Sequence, residues 1–217
     1  MRYGMSKDWI PADWPAPEGV IAGTTLRDSR YELPKESLRL NQVHGTRVVH
    51  WGSADFDDGS PDADAIISDQ PDSICVVRTA DCVPILLCAR DASEIAAIHA
   101  GWRGLAAGIV NVTLDEMTTP ASDLVAWLGP AISQDAFEVG PEVRESFGKW
   151  GEIDDFFRPN QRGRLQADLF GLAGSMLRER GVVPHGQVRC TFADTDHYYS
   201  YRRDGDTGRL LSFVYRS

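Results

Sequence analysis

The chain has 217 residues, 42% of them hydrophobic and 25% charged, the proportions of a globular protein able to bury a sizeable core. Its formal net charge of −10 has the wrong sign for a protein that neutralises a nucleic-acid backbone. A small anionic ligand is still permitted, because a few arginines can grip one phosphate locally.

Residues 1–18 form an N-terminal arm rich in proline and tryptophan, with Trp9, Trp14 and Pro15 as anchors and Met5 as an alternative start. The arm is too polar for a signal peptide. Residues 19–25 read as a first strand, 34–40 as a helical turn, and 46–51 as an alternating strand. Residues 55–64 (DFDDGSPDAD) are acidic. Pro61 and the missing closing glutamate spoil any likeness to a calcium loop, so the segment reads as a solvated turn.

Residues 65–68 restart the strands, and two apolar runs follow at 74–77 and 95–98, each bounded by breakers as buried strands are. The first runs into Asp81 and Cys82, the second into His99 and a glycine-rich turn. The apolar run at 83–89 is the longest elsewhere and far too short to cross a membrane. Residues 105–117 have helical spacing, 124–128 strand character, 142–147 the look of a polar helix and 151–164 that of a loop. A further helix opens near Gln166 and stops at Gly181, as a C-cap glycine would stop it. Residues 188–192 and 210–215 read as late strands on either side of a tyrosine- and arginine-rich segment.

Strands outnumber helices without a regular alternation. The prediction is an α/β (α+β) fold, a mixed β-sheet sandwich with flanking helices, in one domain spanning residues 1–217. No dinucleotide or NTP loop occurs. The four cysteines form no CxxC pair, which favours free thiols in a reducing compartment. Cys75 and Cys88 read as small buried hydrophobes. The expectation is a cytoplasmic protein with no nucleic-acid or membrane partner, its oligomeric state left open, a monomer included.

His44, Cys82 and His99 are the candidates for chemistry. Two imidazoles and one thiolate suit zinc, and three protein ligands leave the fourth tetrahedral position open. The spacing along the chain matches no local motif, and the plain alternative is buried histidines with a core cysteine. The settings argue against it: His44 precedes a glycine, Cys82 follows an aspartate, and His99 enters a glycine-rich turn. A Cys–His hydrolase is the rival reading, with Cys82 as nucleophile, His99 as base and Asp81 or Glu138 as orienting group. Arg103, Arg202 and Arg203 are candidates for holding an anion, and Tyr198, Tyr199 and Tyr201 for stacking a flat base. His50, His185 and His197 have no supporting context and read as structural or surface residues.

Five motifs then occur in a telling order: Asn41-Gln42-Val43-His44-Gly45; Thr79-Ala80-Asp81-Cys82-Val83-Pro84; His99-Ala100-Gly101-Trp102-Arg103-Gly104; Leu128-Gly129-Pro130-Ala131-Ile132 with Phe137-Glu138-Val139-Gly140; and Ser200-Tyr201-Arg202-Arg203-Asp204. Together they resemble the bacterial multicopper polyphenol oxidase (laccase-domain) family, also called the peptidoglycan editing factor or purine nucleoside phosphorylase family. The resemblance implies a cysteine-hydrolase-like fold, a metal site at His44, Cys82 and His99, and Zn2+ or alternatively Cu2+ as the ion. It implies purine nucleoside and inorganic phosphate as partners, with Gln42, Arg103, Tyr201 and Arg202 at the substrate.

The activities it implies are phosphorolysis of adenosine, inosine, guanosine and methylthioadenosine, and deamination of adenosine. Copper-dependent phenol oxidation, a peptidoglycan-precursor amidase using Cys82, and nucleoside binding without turnover are the alternatives. One departure stands out: the family's segment between the first strand and the His44 motif is shortened, which leaves the metal ligands intact but removes part of the pocket wall.

Overall fold

A computed structural model of the chain describes residues 8–30 and 37–216. Met5 and most of the helical turn expected at 34–40 lie outside them; residues 37–40 are not helical. The N-terminal half contains β1 (Trp9–Pro11), β2 (Val20–Thr25), β3 (Val48–His50), β4 (Ala65–Ser68), β5 (Ile74–Thr79), β6 (Val83–Ala89) and β7 (Ile95–Ala100). Helices α1 (Trp102–Ala107) and α2 (Ile109–Glu116), strands β8 (Leu124–Leu128) and β9 (Glu138–Val139), and helix α3 (Pro141–Ser146) follow. The chain ends through β10 (Phe157–Pro159), β11 (Leu165–Ala167), α4 (Leu169–Glu179), β12 (Val183–His185), α5 (Tyr201–Asp204) and β13 (Leu210–Arg216).

Two sheets carry the fold, with strand orders β1-β2-β13-β5 and β12-β8-β6-β7-β4-β3, and a small third sheet, β10-β11-β9, lies beside them. The six-stranded sheet is apolar on both faces, so β6 and β7 are buried at every position. Alternation sorts their side chains. Ile85, Leu87, Ala96 and Ile98 face one core, shared with Leu105, Ile109 and Leu114 of α1 and α2 and with Leu172, Met176 and Leu177 of α4. Leu86, Cys88, Ile95 and Ala97 face the other, shared with Ala22, Cys75, Val77 and Val214 of the four-stranded sheet. The molecule is therefore layered sheet, sheet, helices, the mixed sandwich with flanking helices that the sequence predicts.

The structure departs from the sequence reading at several elements. The N-terminal arm contributes a strand: β1 pairs antiparallel with β2, Trp9 packs at a tilt against Phe213 with ring centroids 5.3 Å apart, and the Trp127 indole donates to Asp13 at 2.8 Å. The helix expected over 105–117 is broken at Gly108, which adopts φ 106°. The 151–164 loop contributes β10. No strand forms over 188–192; Cys190 makes only an isolated bridge to Ala131. Cys75 and Cys88 are buried core residues, and burial pushes the Cys88 thiol up to about 12.

Candidate metal centre and its cleft

The alternation that builds the sandwich also builds the site. Residues 64, 82 and 99 share the parity of Ile66, Leu86 and Ala97, which face the inter-sheet core. Asp64, Cys82 and His99 continue that face past the point where apolar side chains stop. His44 reaches it from the loop before β3, in the left-handed conformation with φ 61°. The ligand atoms of His44, Cys82 and His99 all lie within 4.8 Å of one another. Cys82 Sγ is 3.9 Å from His44 Nε2, and the two imidazoles meet edge to face with centroids 4.7 Å apart. Among the described residues this is the single grouping of three such side chains.

Close approach of His44 and Cys82 depends on Gly101. A Cβ there would lie 2.9 Å from His44 Cδ2 and 3.0 Å from Cys82 Sγ. Soft and borderline donors, a common focus and an open side toward the cleft fit a zinc or copper ion.

Asp64 is a site residue that sequence reading misses, because it closes an acidic run that reads as a solvated turn. It is fully buried. Its Oδ1 accepts from His99 Nδ1 at 2.7 Å and from the His44 amide at 3.0 Å. Its Oδ2 accepts from Gly45 N at 2.7 Å and Val43 N at 3.3 Å. Burial opposes its charge, but these donors hold its carboxyl below the usual range.

Asp64 also displaces both orienting groups that the hydrolase reading offered. Asp81 Oδ1 takes the Thr191 hydroxyl at 2.6 Å and Oδ2 takes the Arg202 amide at 2.6 Å. Glu138 pairs with Arg162 and Arg164. For Cys82, burial favours the neutral thiol, but hydrogen bonds and charge from His44 and His99 outweigh it and bring the thiol down to about 6. For His99, burial disfavours the cation, and hydrogen bonds to Asp64 and Cys82 overcome it, raising the ring to about 9. In the metal-free protein these values make a thiolate and an imidazolium at neutral pH.

The three donors open on a cleft of about 730 Å³. Its walls include Arg103 and Arg202, together with Arg78 and Arg209, two cations for which the sequence offered no local context. The Arg103 guanidinium lies 4.3 Å from the Trp102 ring centroid, and that of Arg202 lies 4.9 Å from Phe137. Arg202 also donates to the Glu138 carbonyl at 2.8 Å. Arg202 is thereby held at the cleft wall by two contacts, and Arg103 lies against its neighbour's ring.

Arg203 is corrected: its guanidinium is spent on the carbonyls of Thr191, Phe192 and Tyr198 and on Asp204, and it does not line the cleft. Of the three tyrosines only Tyr201 lines it. Tyr198 is buried, and the Tyr199 hydroxyl donates to Asp28. Phe137 and Trp102 supply the flat apolar surface instead. Gln42 lines the cleft, and its amide makes a reciprocal pair with the Arg78 backbone at 2.7 and 2.8 Å. His50 and His197 are surface residues paired with Glu116 and Asp194, and His185 lies in β12.

A layered α+β fold with a two-histidine, one-cysteine donor set at the floor of an arginine-lined cleft defines a class of protein whose site suits a metal ion. Residues 16–217 match the family described as multi-copper polyphenol oxidoreductase laccase, and the chain belongs to that family. It is 41% identical to the protein named purine nucleoside phosphorylase YfiH of Escherichia coli, over 97% of this chain and 99% of that protein. It is 39% identical to purine nucleoside phosphorylase PA4543 of Pseudomonas aeruginosa, over 95% and 98%. The crystal structure of NMB0706 from Neisseria meningitidis superposes with a TM-score of 0.88 at 37% identity, covering 97% of this chain and all of that one. That of YlmD from Geobacillus stearothermophilus gives 0.85 at 25% identity, covering 97% of each chain. The alignment with the E. coli protein runs over 244 positions, more than the 217 residues of this chain, so that relative has segments without a counterpart here.

Proposed function

We propose that this chain is a zinc-dependent purine nucleoside phosphorylase. The observation that carries the reading is the His44, Cys82 and His99 donor set opening on a cleft walled by arginines and flat apolar side chains. Relatives that align over nearly their whole length bear the name purine nucleoside phosphorylase. In phosphorolysis a phosphate oxygen bonds to ribose C1′, the bond from C1′ to the purine nitrogen breaks, and the base leaves with the electron pair and takes up a proton. The products are the free purine and ribose 1-phosphate.

Arg103 and Arg202, with Arg78 and Arg209, would hold the phosphate dianion in a fixed pose. Trp102, Phe137 and Tyr201 would pack against the base and sugar. His44, Cys82 and His99 would hold the ion, which supplies Lewis acidity at the reacting centre. Gln42 would act at the cleft edge by fixing the strand that carries Arg78. Adenosine, inosine, guanosine and methylthioadenosine are the proposed substrates, with deamination of adenosine as a second activity of the same site, in the cytoplasm and in a single domain.

The test is incubation of zinc-stoichiometric protein with adenosine and phosphate, read by chromatography. Adenine with ribose 1-phosphate is the expected product. If neither adenine nor inosine forms, the assignment fails.

A second reading is favoured by one observation: Cys82, His99 and Asp64 form a nucleophile, base and orienter in the order a thiol hydrolase needs. The Cys82 thiolate would attack an amide carbonyl carbon, His99 would protonate the departing amine, and water would release the acid. An acyl group trapped on Cys82 in metal-free protein given a muramyl peptide would establish that reading over the first.

A further inference from the structure

From the geometry we infer that Asp64 is the positioning residue of the metal centre, fixing both ligating histidines through one carboxylate. The inference rests on the proposed metal reading. Four lone-pair directions on Asp64 meet four donors: His99 Nδ1–H and the backbone amides of Val43, His44 and Gly45. The carboxylate is saturated, and it is fully buried, so no water competes for it.

Two consequences follow for the centre. With its Nδ1 proton engaged by Asp64, the His99 ring would leave Nε2, on the side of Cys82 and His44, to offer its lone pair to an ion. The three amide bonds also hold the 43–45 backbone, where His44 sits at φ 61°, a conformation that costs a non-glycine residue about 1–2 kcal/mol unless its surroundings enforce it. Asp64 accepts three hydrogen bonds from that backbone. Register reinforces the arrangement, because the Asp64 carbonyl accepts from the His99 amide at 2.7 Å. Backbone and side chain thus lock the same pair of residues.

The test uses the full chain and two readouts. Long-range proton–nitrogen correlation of the histidine side chains locates the proton on each ring of the zinc-loaded wild type. The inference requires the His99 proton on Nδ1; a proton on Nε2 overturns it. Asp64→Asn keeps the shape but turns an NH2 toward two of the four donors, so zinc should bind about 10- to 100-fold more weakly in competition with a chromophoric chelator. A folded D64N protein with wild-type zinc affinity overturns the inference as well.

If D64N does not fold, the wild-type ring spectrum decides alone. If the wild type binds no zinc, the metal reading fails separately. The ring spectrum of metal-free protein at alkaline pH, where the imidazole is neutral, then still decides whether Asp64 sets the His99 proton.

Discussion

Gly101 has an ordinary backbone conformation, φ −75° and ψ 164°, so alanine there meets no conformational penalty and its effect isolates the crowding of the donors. The added methyl would press on His44 Cδ2 and Cys82 Sγ. Gly101→Ala should fold with a loss of about 1–3 kcal/mol, the usual cost of overpacking, while zinc affinity falls by at least tenfold. Chelator competition and urea unfolding on one preparation separate the two effects; intact zinc affinity would remove Gly101 from the account. At Cys82 the thiol is lowered to about 6, so the thiolate prevails above that pH and is lost below it. Alkylation of metal-free protein by iodoacetamide, followed by mass at Cys82, should rise through an inflection near 6 and not near the ordinary 9.0. Stoichiometric zinc should suppress it. The donors themselves were legible because each stands in a sharp local context of glycine, proline or aspartate. Asp64 was not, since its neighbours are other acids; its one signal is parity, two residues before Ile66, which faces the inter-sheet core.

Between α1 and α2 the chain needs one residue in the left-handed region, and Gly108 supplies it at φ 106°. Helix α1 starts at the cleft wall with Trp102 and Arg103, and the break divides it from α2, which packs its buried face on the core. The Trp150 indole donates to the Ala106 carbonyl at 2.9 Å and Lys149 to that of Ala107 at 3.1 Å, capping the end of α1. Gly108→Ala would strain the backbone and bring a methyl to 3.3 Å from the Trp150 ring. A loss of about 1–2 kcal/mol is expected, seen as a lower urea midpoint at unchanged slope; an unchanged midpoint would show that the break tolerates alanine. Periodicity could not reveal this break, because the apolar positions stay in phase across it. Nor could it reveal that β13 pairs with both β2 and β5. That pairing joins the chain ends to the middle and is set by tertiary packing of the Val214 and Phe213 faces. The apolar strands were legible as elements; their order in the sheets was not.

Charge is the property of the whole molecule that most sharply sets the cleft apart. The chain carries −10 overall, yet the cleft wall gathers Arg78, Arg103, Arg202 and Arg209 against one carboxylate, Asp81. Both Asp81 oxygens are already engaged by Thr191 and the Arg202 amide, so it competes poorly for the guanidinium groups. An approaching dianion is repelled by the surface and attracted only at the mouth, where screening acts over about 10 Å at 0.1 M salt and about 3 Å at 1 M. Phosphate capture should therefore depend on ionic strength through the local arginines. Raising sodium chloride from about 0.05 to about 0.5 M should raise the KM for phosphate several-fold and leave kcat at saturating phosphate nearly unchanged. Arg103→Ala, which removes a side chain that stacks on Trp102 and makes no wall of the sandwich core, should raise that KM at low salt and flatten its salt dependence. A wild-type KM indifferent to salt would mean that the arginines are not the phosphate seat, and the cleft's polarity would then have to be explained by some other ligand.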